Sequence, residues 1–294
     1  MIGELSALAT AFCWSGSSIA FAEATLRLGS VRVNLNRLIL AAALLALSIA
    51  LFGIPIHLSI SQWENLGISG VLGLVFGDTF LFKSYEYNGA RISSLIMSVA
   101  PAVAAMLAYF LLDESLSVWA VVGIIVTLGG IALVVLGRHE HSTSPRRITA
   151  VGILYAFLGA CGQAGGLITA KLAFNEGPIN GLSATFVRII CALLILLPLA
   201  VLSGRYKGPW KTFSGDRTAL GLTLLGAVLG PYLGITFSLI SIEHIKIAVG
   251  ATIMATVPII MLPLIKIIYH EKLTWRAYAG AFITVAGVAI LFLR

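Results

Sequence analysis

The chain has 294 residues, of which 59% are hydrophobic and 11% charged, with a formal net charge of +7. Soluble domains carry about 25% charged residues, and a soluble fold this apolar would expose large aggregating patches, so composition excludes one and points to a lipid bilayer as the solvent. The basic excess sits in short loops between apolar runs, not on a surface where a nucleic-acid duplex would dock.

A bilayer core needs about 20 apolar residues of helix. Runs of that length predict spans at 3–24, 33–53, 64–87, 92–112 and 117–136, then at 149–173, 181–202, 219–241, 247–269 and 275–293. The first span follows Met1-Ile2-Gly3-Glu4, which lacks a basic leader, so it reads as part of the fold and not as a signal peptide. Only Gly137 to Arg147 and the stretch 203–218 read as loops of any size. Cys13, Cys161 and Cys191 all lie inside apolar runs, an odd and unpaired set that implies neither a disulfide framework nor a zinc site.

The sequence repeats itself. An offset of 157 pairs Gly73 with Gly230, Gly77 with Gly234, Thr79 with Thr236, Glu86 with Glu243, Pro101 with Pro258, Glu114 with Glu271, Thr127 with Thr284 and Gly130 with Gly287. Earlier in the chain a shorter offset pairs Arg37 with Arg188 and sets Trp14 opposite Gln163. The predicted fold is therefore an all-α integral membrane protein of ten transmembrane helices, in two five-helix repeats, 1–139 and 148–294. Five is odd, so the second copy enters the membrane from the opposite side. Inverted repeats of this kind build transporters with a substrate site at the repeat interface.

Twelve basic residues, among them Arg27, Arg32, Arg138, Arg205 and Lys211, fall in loops 1–2, 3–4, 5–6, 7–8 and 9–10; Lys171, Lys246 and Arg294 lie on the other side. The positive-inside rule then puts loops 1–2, 5–6 and 7–8 in the cytoplasm and both termini outside.

Charged side chains within spans need a reason, since each costs at least about 2.5–3.5 kcal/mol to insert. Asp78 lies mid-span and its repeat partner is the apolar Ile235. It is a candidate for binding a cationic substrate group or for carrying a coupling proton; an acid satisfied by neighbouring hydroxyls or a basic group is the alternative. Lys83, five residues on, is poorly spaced to pair with it on one helix face and lies nearer the membrane edge. Arg37 and Arg188 are duplicated, as interface anchors, as partners of Glu23 and Glu176, or as an anion site, arginine being suited to carboxylate and phosphate. Trp14 and Gln163, with Ser18 beside the first, suit tight packing or a polar cavity wall, and Thr79, Tyr232 and Thr236 are weaker cavity candidates. Glu86 and Glu243, like Glu114 and Glu271, stand at span ends, as structural residues or as gating contacts; Glu114 and Glu271 open the turn into the next helix, where an acid can cap free N–H groups. Pro101 and Pro258 should kink their spans, as hinges for alternating access or as fixed bends. His139-Glu140-His141 lacks a third ligand, so no metal is expected. There is no phosphate loop, His-Glu-x-x-His or nucleophile elbow, so neither enzymatic activity nor a cofactor is expected.

Two segments carry a family resemblance: Ala100-Pro101 through Asp113-Glu114-Ser115-Leu116, and Val257-Pro258 through His270-Glu271-Lys272-Leu273. Each is followed by a glycine-rich last span holding Gly123, Thr127 and Gly130, or Gly280, Thr284 and Gly287. Doubled over ten spans, this pattern resembles the EamA-like branch of the drug/metabolite transporter superfamily. The resemblance implies a basket in which spans 1–4 and 6–9 surround a central cavity and spans 5 and 10 lie outside. It also implies export or exchange of small metabolites across the plasma (inner) membrane without ATP hydrolysis. Relatives keep both termini in the cytoplasm, which conflicts with the charge bias here. The expected partners are a small-molecule substrate, the bilayer and protons, with the chain acting as a monomer. The rival reading is a lipid-handling protein, a scramblase or carrier of lipid-linked head groups, or an intramembrane enzyme.

Overall fold

A computed structural model describes residues 1–111, 117–136, 148–206, 208, 216–245, 247–270 and 273–292. The described residues are helical, with no strand among them. Helices α1 (Ile2–Leu28) and α2 (Ser30–Phe52) are joined by Gly29 alone, whose φ of 83° and ψ of 152° suit glycine and strain any residue with a Cβ. Helix α3 (Ile60–Gly70) opens on a capping box, Ser59 and Gln62 each satisfying the other's backbone N–H. A π-helical stretch, Val71–Gly77, runs directly into α4 (Asp78–Met97). Then come α5 (Ala100–Leu111), α6 (Val118–Leu136), α7 (Ala150–Asn175), α8 (Gly181–Leu202) and α9 (Arg217–Ala227). A second π-helical stretch, Val228–Gly234, leads into α10 (Ile235–His244), followed by α11 (Ile247–Met254), α12 (Val257–Tyr269) and α13 (Trp275–Phe292).

Among the described residues seven helical stretches are long and apolar enough to cross a membrane, including the continuous runs Ile60–Met97 and Arg217–His244. Their outer faces carry large apolar side chains, such as Phe52 and Leu202, that water would penalise and lipid solvates. The chain is thus a multi-pass membrane protein.

Two predicted spans are not continuous. The run 92–112 breaks at Ser98 and Val99, and the run 247–269 breaks at Ala255 and Thr256. In each case proline is the second residue of the helix that follows, Pro101 in α5 and Pro258 in α12. A proline there lacks an N–H that the first turn would leave unpaired anyway, and its ring opposes a continuous helix across the preceding turn. The prolines therefore restart helices where kinks within them were expected. The chain also bends at Gly89, within α4 (φ 70°, ψ 176°).

Helices α6 and α13 pack along a reciprocal seam. A Cβ on Gly130 would stand 2.5 Å from the Thr284 backbone nitrogen, and one on Gly287 would stand 2.4 Å from that of Thr127. The threonine hydroxyls bond back to Gly123 and Gly280, each at 2.8 Å. Small residues of this kind let membrane helices approach closely.

Side chains fix helix ends as well. Thr149 caps α7, Asn180 caps α8 and Asp216 caps α9. Asp216 accepts from the Ala219 N–H at 2.9 Å and faces Arg27 at 3.3 Å, joining the end of α1 to the start of α9. The Ala219 hydrogen bond first, and Arg27 after it, holds this carboxyl below its ordinary value of 3.8. A lowered folded-state pKa stabilises above the unfolded value and ceases to as pH falls through the folded one. Asp216→Ala should thus lower the melting temperature at pH 7, and the gap to wild type should close progressively below about pH 3.8, in thermal melts across pH.

The predicted loop Gly137 to Arg147, with His139-Glu140-His141, and the acids Glu114 and Glu271 lie outside the described residues. Glu86 accepts from the Ser30 N–H at 2.7 Å, capping the start of α2, and pairs with Lys83.

Candidate functional site

The helices frame a cavity of about 200 Å³ lined by side chains from both halves of the chain. Helix α1 contributes Trp14, Ser17, Ser18 and Phe21, a spacing that puts them on one helical face. Helix α4 contributes Asp78, Leu81, Phe82 and Tyr85 on the same principle. Arg37 comes from α2, Gln163 from α7 and Arg188 from α8; Ile235 and Ser238 come from α10, and Pro101 from α5.

Asp78 owes its position to the π-helical stretch before it. Its backbone N–H bonds to the Gly73 carbonyl, one residue further back than an α-helix allows. The same carbonyl accepts from Gln163 Nε2 at 3.3 Å, so α7 is tied to this wide turn. Gln163 Nε2 also donates to Asp78 Oδ1 at 2.8 Å. The other carboxylate oxygen, Oδ2, pairs with Arg37 Nη2. Arg37 in turn donates from Nε to Asn34 Oδ1 at 2.9 Å, and its guanidinium lies over the rings of Phe82 and Phe21, 4.7 and 5.5 Å from their centroids. Arginine and acid are 4% and 5% exposed. A pair so deeply buried survives only when hydrogen bonds satisfy the remaining donors and acceptors, and Asn34, Gln163 and the two aromatic faces do that here.

Of the readings open for Asp78, the structure shows the acid satisfied by a basic group, Arg37; the pairing of Arg37 with Glu23 is corrected. Arg37 points inward to Asp78, while Glu23 accepts from the Tyr269 hydroxyl at 2.7 Å. Glu176 is likewise not the partner of Arg188: it accepts from Ser59, Ser61 and Asn65. The reason is geometric, since the helix-end acids sit near exposed polar caps and the arginines lie at cavity depth.

Trp14, Ser18, Arg37, Asp78, Gln163 and Arg188 come together on the cavity wall; Thr79, Tyr232 and Thr236 do not. Asn34 Nδ2 donates to Thr79 at 3.2 Å and Tyr232 shares a 2.7 Å hydrogen bond with Ser48, so these two join neighbouring helices, while Thr236 donates back to the Tyr232 carbonyl at 2.5 Å with the Thr185 hydroxyl 3.4 Å away. Pro101 lines the cavity, and Pro258 lies next to Val257, which does. Asn34, Phe21, Phe82 and Tyr85 were missed. Asn34 was findable, as an amide inside an apolar span one turn before Arg37.

Tyr85, 2% exposed, donates to Ser18 Oγ at 3.1 Å and so links α4 to α1. Tyr85→Phe should cost about 0.5–1.5 kcal/mol, the net worth of one buried hydrogen bond, read from unfolding in detergent. Among the described residues no group of three or more His, Cys, Asp or Glu side chains could hold a metal ion. Hydroxyls, one amide and three charged groups in a mostly apolar enclosure can bind a small solute; they assemble no nucleophile with a base.

The comparisons agree with a solute-handling membrane protein. An uncharacterized transporter of Archaeoglobus fulgidus is 23% identical over 297 residues, covering 100% of this chain and 99% of that one. The uncharacterized transporter YxxF of Bacillus subtilis is 32% identical over 125 residues, or 42% of this chain. A chain of known crystal structure aligns over 99% of this chain and 96% of its own length, with a TM-score of 0.69 and 17% identity, which speaks to the fold alone. The EamA-like transporter family matches residues 1–136 and 150–293, nearly the whole sequence. On that match, the chain belongs to the EamA-like transporter family.

Proposed function

We propose that this protein is a secondary transporter that moves small metabolites across the plasma membrane by alternating access. The layout we infer is ten membrane crossings in two inverted five-helix repeats, with loops 1–2, 5–6 and 7–8 in the cytoplasm. Three matched features support it: the π-helical stretches 71–77 and 228–234, offset by 157 positions; the helix breaks before Pro101 and Pro258; and the reciprocal seam of Gly130 and Gly287. The observation that carries the functional reading is the buried cavity between the halves, holding Arg37, Asp78 and Gln163. Inverted repeats place substrate sites at such an interface. Arg37 and Arg188 are 4% and 5% exposed, which argues against a lipid-facing head-group site.

In this reading the turns before α5 and α12 act as hinges, and Asp78 is the coupling residue. Protonating it would cancel its charge and loosen Arg37, which gives protons a route to bias the two states. The test is counterflow in proteoliposomes against a metabolite pool, with and without a proton gradient, for wild type and Asp78→Asn. Gradient-driven accumulation by wild type, with exchange alone in any correctly folded variant, supports coupling at Asp78. Accumulation of no solute by wild type would overturn the transport reading.

A further inference from the structure

The matched halves treat their arginines differently. One turn before Arg37 stands Asn34, which accepts from its Nε; one turn before Arg188 stands Thr185. The correspondence holds in three dimensions, because Asn34 bonds to Thr79 while the Thr185 hydroxyl lies 3.4 Å from that of Thr236, the residue matched to Thr79. Arg37 has Asp78 as its counter-ion, and the position matched to Asp78 is Ile235. Both acceptors that satisfy Arg37 are therefore replaced around Arg188. Arg188 is 95% buried, its Nε has no hydrogen-bond partner, and no described acid forms an ion pair with it. It lines the cavity, with Nη2 close enough to Gly73 that a Cβ there would stand 3.1 Å away.

A guanidinium stays charged at any working pH, and a buried one without a partner is expensive. The cavity thus holds two guanidinium charges against one carboxylate, an excess of one positive charge. Asp78 already faces Arg37 with one oxygen and Gln163 with the other, so its charge is balanced by a buried cation before any substrate ammonium arrives. Resting on the transporter reading above, we infer that Arg188 is the anion-recognition residue of the cavity and that the substrate class is organic monocarboxylates. The carboxylate of the substrate replaces the acid that the second half lacks, and its apolar body packs against Trp14, Phe21, Leu74 and Met254. One excess charge matches one carboxylate better than a phosphate dianion. This assignment replaces the cationic substrate that Asp78 suggested from sequence.

The test measures binding to the purified protein in detergent, using acetate, benzoate, 3-phenylpropionate and indole-3-propionate, each beside its neutral amide, with inorganic phosphate as a further arm. Wild type is expected to prefer at least one acid over its amide by about tenfold or more, the scale of a charge-assisted contact to arginine. Arg188→Gln should erase that preference. Because that variant also removes a buried charge, Ile235→Asp provides a second line: it supplies the missing acid in place, should leave the protein folded, and should also erase the preference. Equal binding of acids and amides by wild type, a preference for phosphate, or retention of the acid preference in folded Ile235→Asp would each overturn the assignment. Counterflow with the same solutes separates the two levels. Transport of amides without acid preference sinks the anion site alone, whereas acid binding without any transport sinks the transporter reading and leaves the site.

Discussion

Asp78→Asn is expected to destabilise the purified protein by about 3–5 kcal/mol, the cost of stranding one member of a buried ion pair. The asparagine keeps the shape and retains a hydrogen bond to Gln163, yet it leaves the Arg37 guanidinium with no counter-charge at 4% exposure. Removing both charges together tests the cause. Arg37→Met combined with Asp78→Leu should cost much less than Asp78→Asn alone, because well-packed apolar residues replace such pairs at little or no net cost. Reversible unfolding in mixed micelles reads both numbers. If the single variant is as stable as wild type, the pair is not the electrostatic keystone of the cavity. If the double variant is worse than the single, packing around Phe21 and Phe82 matters more than charge.

The second large effect is expected far from the cavity, at the seam of α6 and α13. Alanine at Gly130 or at Gly287 should each cost about 1–3 kcal/mol, the range for forcing volume into a filled interface. The obstructing atoms are backbone nitrogens at 2.5 and 2.4 Å, which cannot rotate away, so the helices must part. Because the two contacts are mirror copies, the two costs should agree. The double variant should cost less than their sum, since one separation relieves both clashes. Gly129→Ala is the control on the same helix: its Cβ would meet nothing within 4 Å, so better helix propensity should leave stability unchanged or raised. A Gly130→Ala variant as mild as Gly129→Ala would show that the seam is looser than described.

Composition and apolar run length were enough to read a multi-pass helical membrane protein, because lipid leaves few other ways to satisfy a backbone. The self-matching of Arg37 with Arg188 and of Pro101 with Pro258 was also open to inspection. The Arg37–Asp78 pair was not, since its members lie 41 positions apart and meet only once two helices are set side by side. The π-helical stretches were hidden for a different reason: shifting one hydrogen-bond register changes no composition, yet it lets the Gly73 carbonyl serve both Asp78 and Gln163. Thr79, Tyr232 and Thr236 lie in polar spots that looked like cavity wall, but hydroxyls inside apolar helices serve equally well to join neighbours, as Thr79 and Tyr232 do, or to bond back to their own helix, as Thr236 does. The unpartnered Nε of Arg188 was hidden because the groups that would satisfy it, those matched to Asn34 and Asp78, come from different helices.

The most direct test of the central claim is two-sided access to the cavity. With Cys13, Cys161 and Cys191 replaced by alanine, a cysteine at Ser17 or Ser98 on the cavity wall is challenged with a membrane-impermeant thiol reagent in right-side-out and inverted vesicles. Alternating access predicts labelling from both faces, with transported solute slowing it. Labelling from one face only, unchanged by every solute, would describe a blind pocket and contradict the account.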